Sequence, residues 1–139
     1  MKNTLCTVFG AVGGIIAAAI GGCDAALITL IIFMTVDFIS GLVVAGVFHN
    51  SRKSATGALE SKAGWKGLSR KCMTMLFVLI AHRLDLMLGI EYVRSAVIIG
   101  FAANELLSIV ENAGLMGLPL PDAVIRAVDL LKKKSEEEE

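Results

Sequence analysis

With 139 residues, 55% of them hydrophobic, and a mean hydropathy of +0.74, the chain carries more apolar surface than a soluble domain of this size can bury. Its thirteen basic and thirteen acidic residues cancel, but the basic ones cluster in the middle and near the end, and four glutamates close the chain. The basic stretch is short and lies between apolar segments, so we expect no nucleic-acid partner.

The first two predicted elements are apolar runs of membrane-spanning length, residues 5–23 and 25–48. The second is interrupted only by Asp37. Its Leu, Ile, Val and Phe side chains contribute roughly −4 to −8 kcal/mol to insertion, against about +2.5 to +3.5 kcal/mol for a central Asp. We therefore expect both runs to span the membrane as helices.

The stretch from residue 51 to residue 71 is basic, and we predict a cytoplasmic loop, with an interfacial helix anchored by Trp65 as one form of it. The basic residues assigned to this loop are Lys62, Lys66, Arg70 and Lys71. A third apolar segment, residues 72–90, carries Arg83 and Asp85, whose cost of about 5 to 7 kcal/mol exceeds its apolar gain of about 3 to 5 kcal/mol. This segment needs bundle partners, or a position that brings its charges near an interface.

The fourth apolar segment covers residues 93–110, and a break rich in glycine and proline follows it. The spacing of apolar residues over 122–134 predicts an amphipathic helix on the membrane surface, before a disordered acidic tail at 135–139. The predicted fold is an all-α integral membrane protein. It has about four transmembrane helices in a single domain over residues 1–134, both termini are cytoplasmic, and copies assemble into a homo-oligomer.

Ionisable and polar residues inside these segments are costly in hydrocarbon, so each is a functional candidate. Asp37 either lines a water-filled lumen, is protonated, or pairs with Arg83 of another helix or subunit; helix association alone would also explain it. Asn104, Ser108 and Glu111 share one helical stripe, flanked by Glu105 and Asn112. The predicted pore or polar helix contacts are Asp37, Arg83, Asp85, Asn104, Glu105, Ser108, Glu111 and Asn112.

Small residues recur every fourth position in the first segment, a spacing that lets membrane helices approach closely. The predicted helix-packing residues are Gly10, Gly14, Ala18 and Gly22, together with Gly41 in the second segment. The three cysteines are expected to be apolar fillers. No nucleophile motif, phosphate-binding glycine loop or metal-ligand spacing occurs in the sequence. We therefore expect no cofactor, no metal and no enzymatic activity.

Three stretches resemble the toxin-secretion and phage-lysis holin family: residues 37–41, 61–71, and 105–112 with the following 117–121. The positions that match the family pattern are Asp37, Ser61, Gly64, Gly67, Lys71, Glu105, Ser108, Glu111 and Asn112. The resemblance implies a protein of the bacterial cytoplasmic membrane that accumulates as oligomers and then opens lesions. An endolysin or secreted toxin would leave through them, and the remaining partners would be membrane lipids.

Two other functions suit the same residues. A small ion channel or transporter subunit would also need intramembrane charges such as Asp37 and Arg83. A non-conducting membrane anchor could recruit a partner protein through the basic stretch.

Overall fold

The computed structural model describes residues 1–137 and contains five α-helices. These are α1 (Lys2–Ala19), α2 (Ala25–Gly46), α3 (Ser61–Leu88), α4 (Val93–Leu115) and α5 (Asp122–Glu137). No strand occurs among the described residues, and three of the helices are long and apolar enough to cross a membrane. The predicted all-α membrane fold is confirmed.

Glycines with positive φ and an aspartate cap mark the ends of the helices. Gly21 and Gly22 follow α1 with φ of +93° and +92°, in a region that residues with a Cβ rarely adopt. Asp24 then caps α2, because its Oδ1 accepts the Leu27 N–H at 2.9 Å. Gly89 ends α3 at φ +66°, and its N–H donates to the Asp85 carbonyl.

Helices α2, α3 and α4 form a bundle in which α4 packs against both of the others, while α2 and α3 touch little. Each helix contributes one stripe of buried or half-buried residues, alternately three and four apart. The stripes are Leu27, Leu30, Met34, Asp37, Gly41 and Val44 on α2; Lys71, Thr74, Val78, Ala81 and Asp85 on α3; and Arg94, Ile98, Phe101, Glu105, Ser108 and Asn112 on α4. A mean spacing of 3.5 residues keeps each stripe on the shared seam along its whole length.

Contacts at both ends fix the helix directions. Asp24 before α2 pairs with Arg94 at the start of α4, and Asn112 late in α4 donates to Ser40 of α2, so these two helices run parallel. Asp85 near the end of α3 reaches the start of α4, so α3 runs the opposite way. The interior of the bundle is apolar around Leu30, Val78 and Ile98, and one level of polar side chains lies on each side of these residues.

Helix α1 stands apart from the bundle and has no buried residue. Its large apolar side chains point outward; Phe9 and Ile15 are 73% and 70% exposed. A surface of this kind is stable only against lipid or another protein.

The basic stretch differs from its prediction. Helix α3 begins at Ser61 and continues for 28 residues, so Lys62, Lys66, Arg70 and Lys71 lie on a helix. The loop prediction is wrong for them, and the alternative of a helix that includes Trp65 agrees with the structure. Lysine, arginine and leucine are good helix formers, and no proline interrupts the run. The loop between α2 and α3 is limited to residues 47–60.

Several predicted boundaries also shift. The apolar part of α1 ends at Ala19 rather than at residue 23, because Gly21 and Gly22 turn the chain, and α4 continues to Leu115. Helix α5 continues to Glu137, so the predicted disorder of the tail is wrong up to that residue. The last two residues, 138 and 139, lie outside the described part of the chain.

Candidate functional site

The middle of the bundle holds three charged side chains, one from each helix. Lys71 Nζ lies 2.8 Å from Asp37 Oδ2 and 2.5 Å from Glu105 Oε2. Asp37 and Glu105 are 6% and 7% exposed, so one ammonium group bridges two buried carboxylates. We call Asp37, Lys71 and Glu105 the ion triad.

A second ammonium group balances the charge of the ion triad. Lys53, in the loop after α2, places Nζ 3.4 Å from Asp37 Oδ1 and 3.2 Å from Ser108 Oγ. Asn112 donates to Ser40 Oγ at 2.8 Å and to Asp37 Oδ1 at 3.3 Å. Within the described residues, no buried side-chain nitrogen or oxygen lacks a hydrogen-bond partner. The cluster is formally neutral and internally satisfied, which is the condition for burying charge in an apolar medium.

The ion triad lies near half the depth of the bundle. Helix α2 has 22 residues, and Asp37 is about 18 Å from its start at a rise of 1.5 Å per residue. At that depth an unpaired ion is expensive, so the three charges depend on one another.

A cleft of about 680 Å³ opens beside the ion triad, between α2 and the first half of α3. Phe38, Leu42 and Phe77 supply apolar lining, and Lys66 and Arg70 supply basic lining toward the loop end. Helices α2 and α3 touch little and are held together mainly through α4, and the cleft lies between them.

A second polar level closes the opposite end of the bundle around Arg94. Its Nε donates to the Ile20 carbonyl at 2.6 Å, and its Nη2 donates to the Gly22 carbonyl at 2.9 Å. Its Nη1 pairs with Asp24 Oδ2 at 2.6 Å. Carbonyl groups left without partners at the end of α1 are thereby satisfied. The Arg94 hydrogen bond, helped by the Leu27 N–H, lowers the pKa of Asp24 below its usual value, so this carboxylate is ionised at neutral pH.

Asp85 belongs to the same level. Its two carboxylate oxygens accept the N–H groups of Val93 and Arg94, each at 2.9 Å, so it caps α4 from the neighbouring helix. Arg83 is exposed on α3. The predicted alternative that Asp37 pairs with Arg83 is wrong within the chain, because Asp37 pairs with Lys71 and Lys53.

The predicted polar stripe of α4 is rotated by one residue. Glu105 and Asn112 are buried and Ser108 is half-buried, whereas Asn104 and Glu111 are exposed. Asn104 lines the cleft beside Ser108. The face that meets α2 and α3 is therefore the stripe of Glu105, Ser108 and Asn112.

The predicted small-residue packing is not made within the chain by α1. A Cβ on Gly10 or Gly14 would have no neighbour within 4 Å, and Gly22 lies in the turn after the helix. Ala18 is also exposed. Gly41 alone of the predicted set faces another element, where a Cβ would come 3.8 Å from Asn112 Nδ2. Packing of the α1 stripe between copies stays a prediction.

Sequence reasoning missed four participants: Lys53, Ser40, Asp24 and Arg94. The period of the seam could have identified Arg94, since Arg94, Ile98, Glu105 and Asn112 follow one heptad stripe. In the described part of the chain, no group of His, Cys, Asp and Glu side chains could hold a metal ion, and the three cysteines are exposed.

Comparison with known sequences agrees with the polar, membrane-type bundle. The sequence model of the bacteriophage holin family matches residues 14–133. The chain is 38% identical to an uncharacterised protein of Listeria innocua, over 94% of this chain and 86% of that one. It is 39% identical to an uncharacterised protein of Halalkalibacterium halodurans, over 76% of this chain and 75% of that one. It is also 25% identical to a probable holin of Bacillus phage phi105, over 78% and 72% of the two chains. No solved structure matches the chain. Since the family match covers most of its length, the chain belongs to the bacteriophage holin family.

Proposed function

We propose that the chain is a holin that oligomerises in the bacterial cytoplasmic membrane and opens lesions through which a lysin or toxin leaves the cell. Membership of the family supports a holin role. The observation that carries the rest of the proposal is the ion triad, whose charge Lys53 balances, at mid-depth in an apolar bundle.

The ion triad suits a protein with a closed and an open state. In the closed bundle Asp37 and Glu105 are paired with Lys71 and shielded from hydrocarbon. If α2 moves away from α4, the same groups can be hydrated on the wall of an aqueous lesion, where charge is stable without a partner. The polar seam therefore tolerates both states, whereas an all-apolar seam would favour only the closed one.

Oligomerisation is supported by the surface of α1. It buries nothing within the chain, and its Gly10 and Gly14 leave space for a second helix to approach. The triad residues of several copies could then surround a common lesion.

The test is expression of the chain in bacteria that also carry a cytoplasmic lysin without an export signal. We expect chemical crosslinking to give a ladder of oligomers, and the lysin to appear outside the cytoplasm after a delay, together with loss of membrane potential. Ion-selective conductance without lysin release would instead support a small channel or transporter subunit. Harmless accumulation without conductance would support a membrane anchor.

We also propose that α3 is a fourth span, which places both termini in the cytoplasm. By composition alone, α3 is less clearly a membrane span than the three helices that are long and apolar enough to cross. In the structure, however, Asp85 is buried and capped into α4, and Lys71 is paired. Arg83 lies in the last two turns, close enough to the interface for its side chain to reach water. The outward side chains between them, such as Leu76 and Ile80, are apolar.

Reporter fusions check this topology. Fusions after Glu60 and after Leu131 should both read cytoplasmic, and a fusion in the turn at Gly22 should read external. The excess of Lys and Arg around α3 gives this orientation under the positive-inside rule. An external signal at Leu131 together with a cytoplasmic one at Glu60 would mean that α3 does not cross, and would leave three spans.

A further inference from the structure

The cleft between α2 and the first half of α3 has the composition of a lipid site. Its volume is about 680 Å³. Phe38, Leu42 and Phe77 line it with apolar surface, and Lys66 and Arg70 line it with positive charge. A soluble anion would leave the apolar lining uncovered, and a neutral apolar molecule would leave the basic side chains without a partner.

The two basic side chains are available for a ligand. Lys66 and Arg70 are four residues apart on α3, so they are neighbours on one helix face. Within the part of the chain whose side chains are described, neither forms an ion pair, whereas Lys71 one residue further pairs with two carboxylates. Two adjacent like charges repel each other, and a bound anion between them would remove that cost.

The position of the cleft matches the headgroup level of a bilayer. Lys66 is about 7.5 Å along the helix from Lys71, in the direction away from the middle of the bundle. The end of α2 at Gly46 is about 13.5 Å from Asp37 in the same direction. The Lys66 side chain can therefore extend its ammonium group to the membrane interface, while the cleft continues toward the middle of the bilayer.

We propose that this cleft binds one anionic phospholipid, with its phosphate between Lys66 and Arg70 and an acyl chain along Phe38, Leu42 and Phe77. Basic pockets between transmembrane helices at a membrane interface select anionic headgroups in this way. The bound lipid would hold α2 and α3 at their observed separation and would fill the cleft beside the ion triad. This inference rests on the proposed fourth span, α3, and does not depend on lesion formation.

The charge is tested by a matched pair of variants, Lys66→Gln in the cleft and Lys62→Gln one turn earlier on α3, which does not line it. The protein, purified in detergent, is titrated with phosphatidylglycerol or phosphatidylcholine of identical chains, and bound lipid is counted by native mass spectrometry. We expect one phosphatidylglycerol per chain, in preference to phosphatidylcholine. Lys66→Gln should weaken binding about fivefold, the effect of about 1 kcal/mol per basic residue, and Lys62→Gln should leave it unchanged.

The acyl site is tested by filling the cleft. Gly67 lines the cleft and a Cβ there would meet nothing within 4 Å, so Gly67→Leu adds an apolar side chain at the cleft from a position with free space. It should reduce phosphatidylglycerol binding, whereas Ser69→Leu on the exposed side of α3 should not. Equal affinity for both lipids would overturn the proposal. So would equal weakening by Lys66→Gln and Lys62→Gln, which indicates diffuse surface attraction, or full binding by Gly67→Leu.

Discussion

Replacing Lys71 with methionine is expected to lower the free energy of unfolding of the bundle by about 3–5 kcal/mol, the cost of removing one partner from a buried charge pair. The methionine fills a similar volume but leaves Asp37 and Glu105 buried with no cation between them. Among the described residues, the cation that still pairs with Asp37 is Lys53, at 3.4 Å and on a side chain that is 47% exposed. Unfolding in detergent with increasing dodecyl sulfate measures the change.

The matched control is Lys62→Met, which removes a lysine from an exposed position on the same helix. It should change stability by less than about 0.5 kcal/mol, as surface substitutions usually do. Asp37→Leu should be milder than Lys71→Met, because Lys71 keeps its contact with Glu105. Equal stability of Lys71→Met and Lys62→Met would mean that the ion triad does not stabilise the folded bundle.

A triple variant separates structure from mechanism. Asp37→Asn, Lys71→Met and Glu105→Gln together remove every charge of the ion triad at nearly constant volume, and neutral replacement of a buried ion set is often tolerated. We expect this variant to accumulate like the parent but to release lysin later, because its seam gains less from hydration in an open lesion. Release on the parental schedule would restrict the ion triad to a structural role.

The membrane helices could be predicted from the sequence because long apolar runs determine them almost alone. The runs at residues 5–23, 25–48 and 93–110 correspond to α1, α2 and α4 within a few residues. The start of α3 could not be found in this way. A basic stretch is soluble as a loop or as a helix, so its lack of apolar residues does not distinguish the two.

The pairing of charges was harder to predict than the spans. Neighbouring polar residues, such as Asn104 with Glu105 and Glu111 with Asn112, make two stripes equally polar, so the buried one depends on where α2 and α3 lie. The sequence offers Arg83 as a partner of Asp37 because both lie in apolar segments, whereas Lys71 lies in the basic stretch. The position along α3 distinguishes the two cations. Lys71 lies level with Asp37, and Arg83 is about 18 Å further along the helix.

The role of Arg94 was the hardest to predict from the sequence, because a single arginine at the start of an apolar run is typical of an interfacial anchor. In the structure its side chain is only 9% exposed and binds acceptors on the chain between α1 and α2. No other side chain in the described residues donates to Ile20 and Gly22 in this turn. Ile20 packs in the apolar core, and the hydrogen bonds that attach this turn to α4 all come from one guanidinium group.

Arg94→Leu is expected to cost about 2–4 kcal/mol, because it removes hydrogen bonds from a charged donor and strands two carbonyl groups, while Asp24 remains open to water. Arg94→Lys should recover only part of the loss, since one ammonium cannot match the planar donor set of arginine. The effect should concentrate on α1, seen as faster hydrogen exchange near Ile20 and altered crosslinking of Cys6 between copies.

Arg83→Leu, which replaces an exposed arginine on α3, is the control and should change neither. If Arg94→Leu leaves exchange at the α1–α2 turn unchanged, the packing of Ile20, the Asp24 cap and the glycine backbone hold the turn without Arg94.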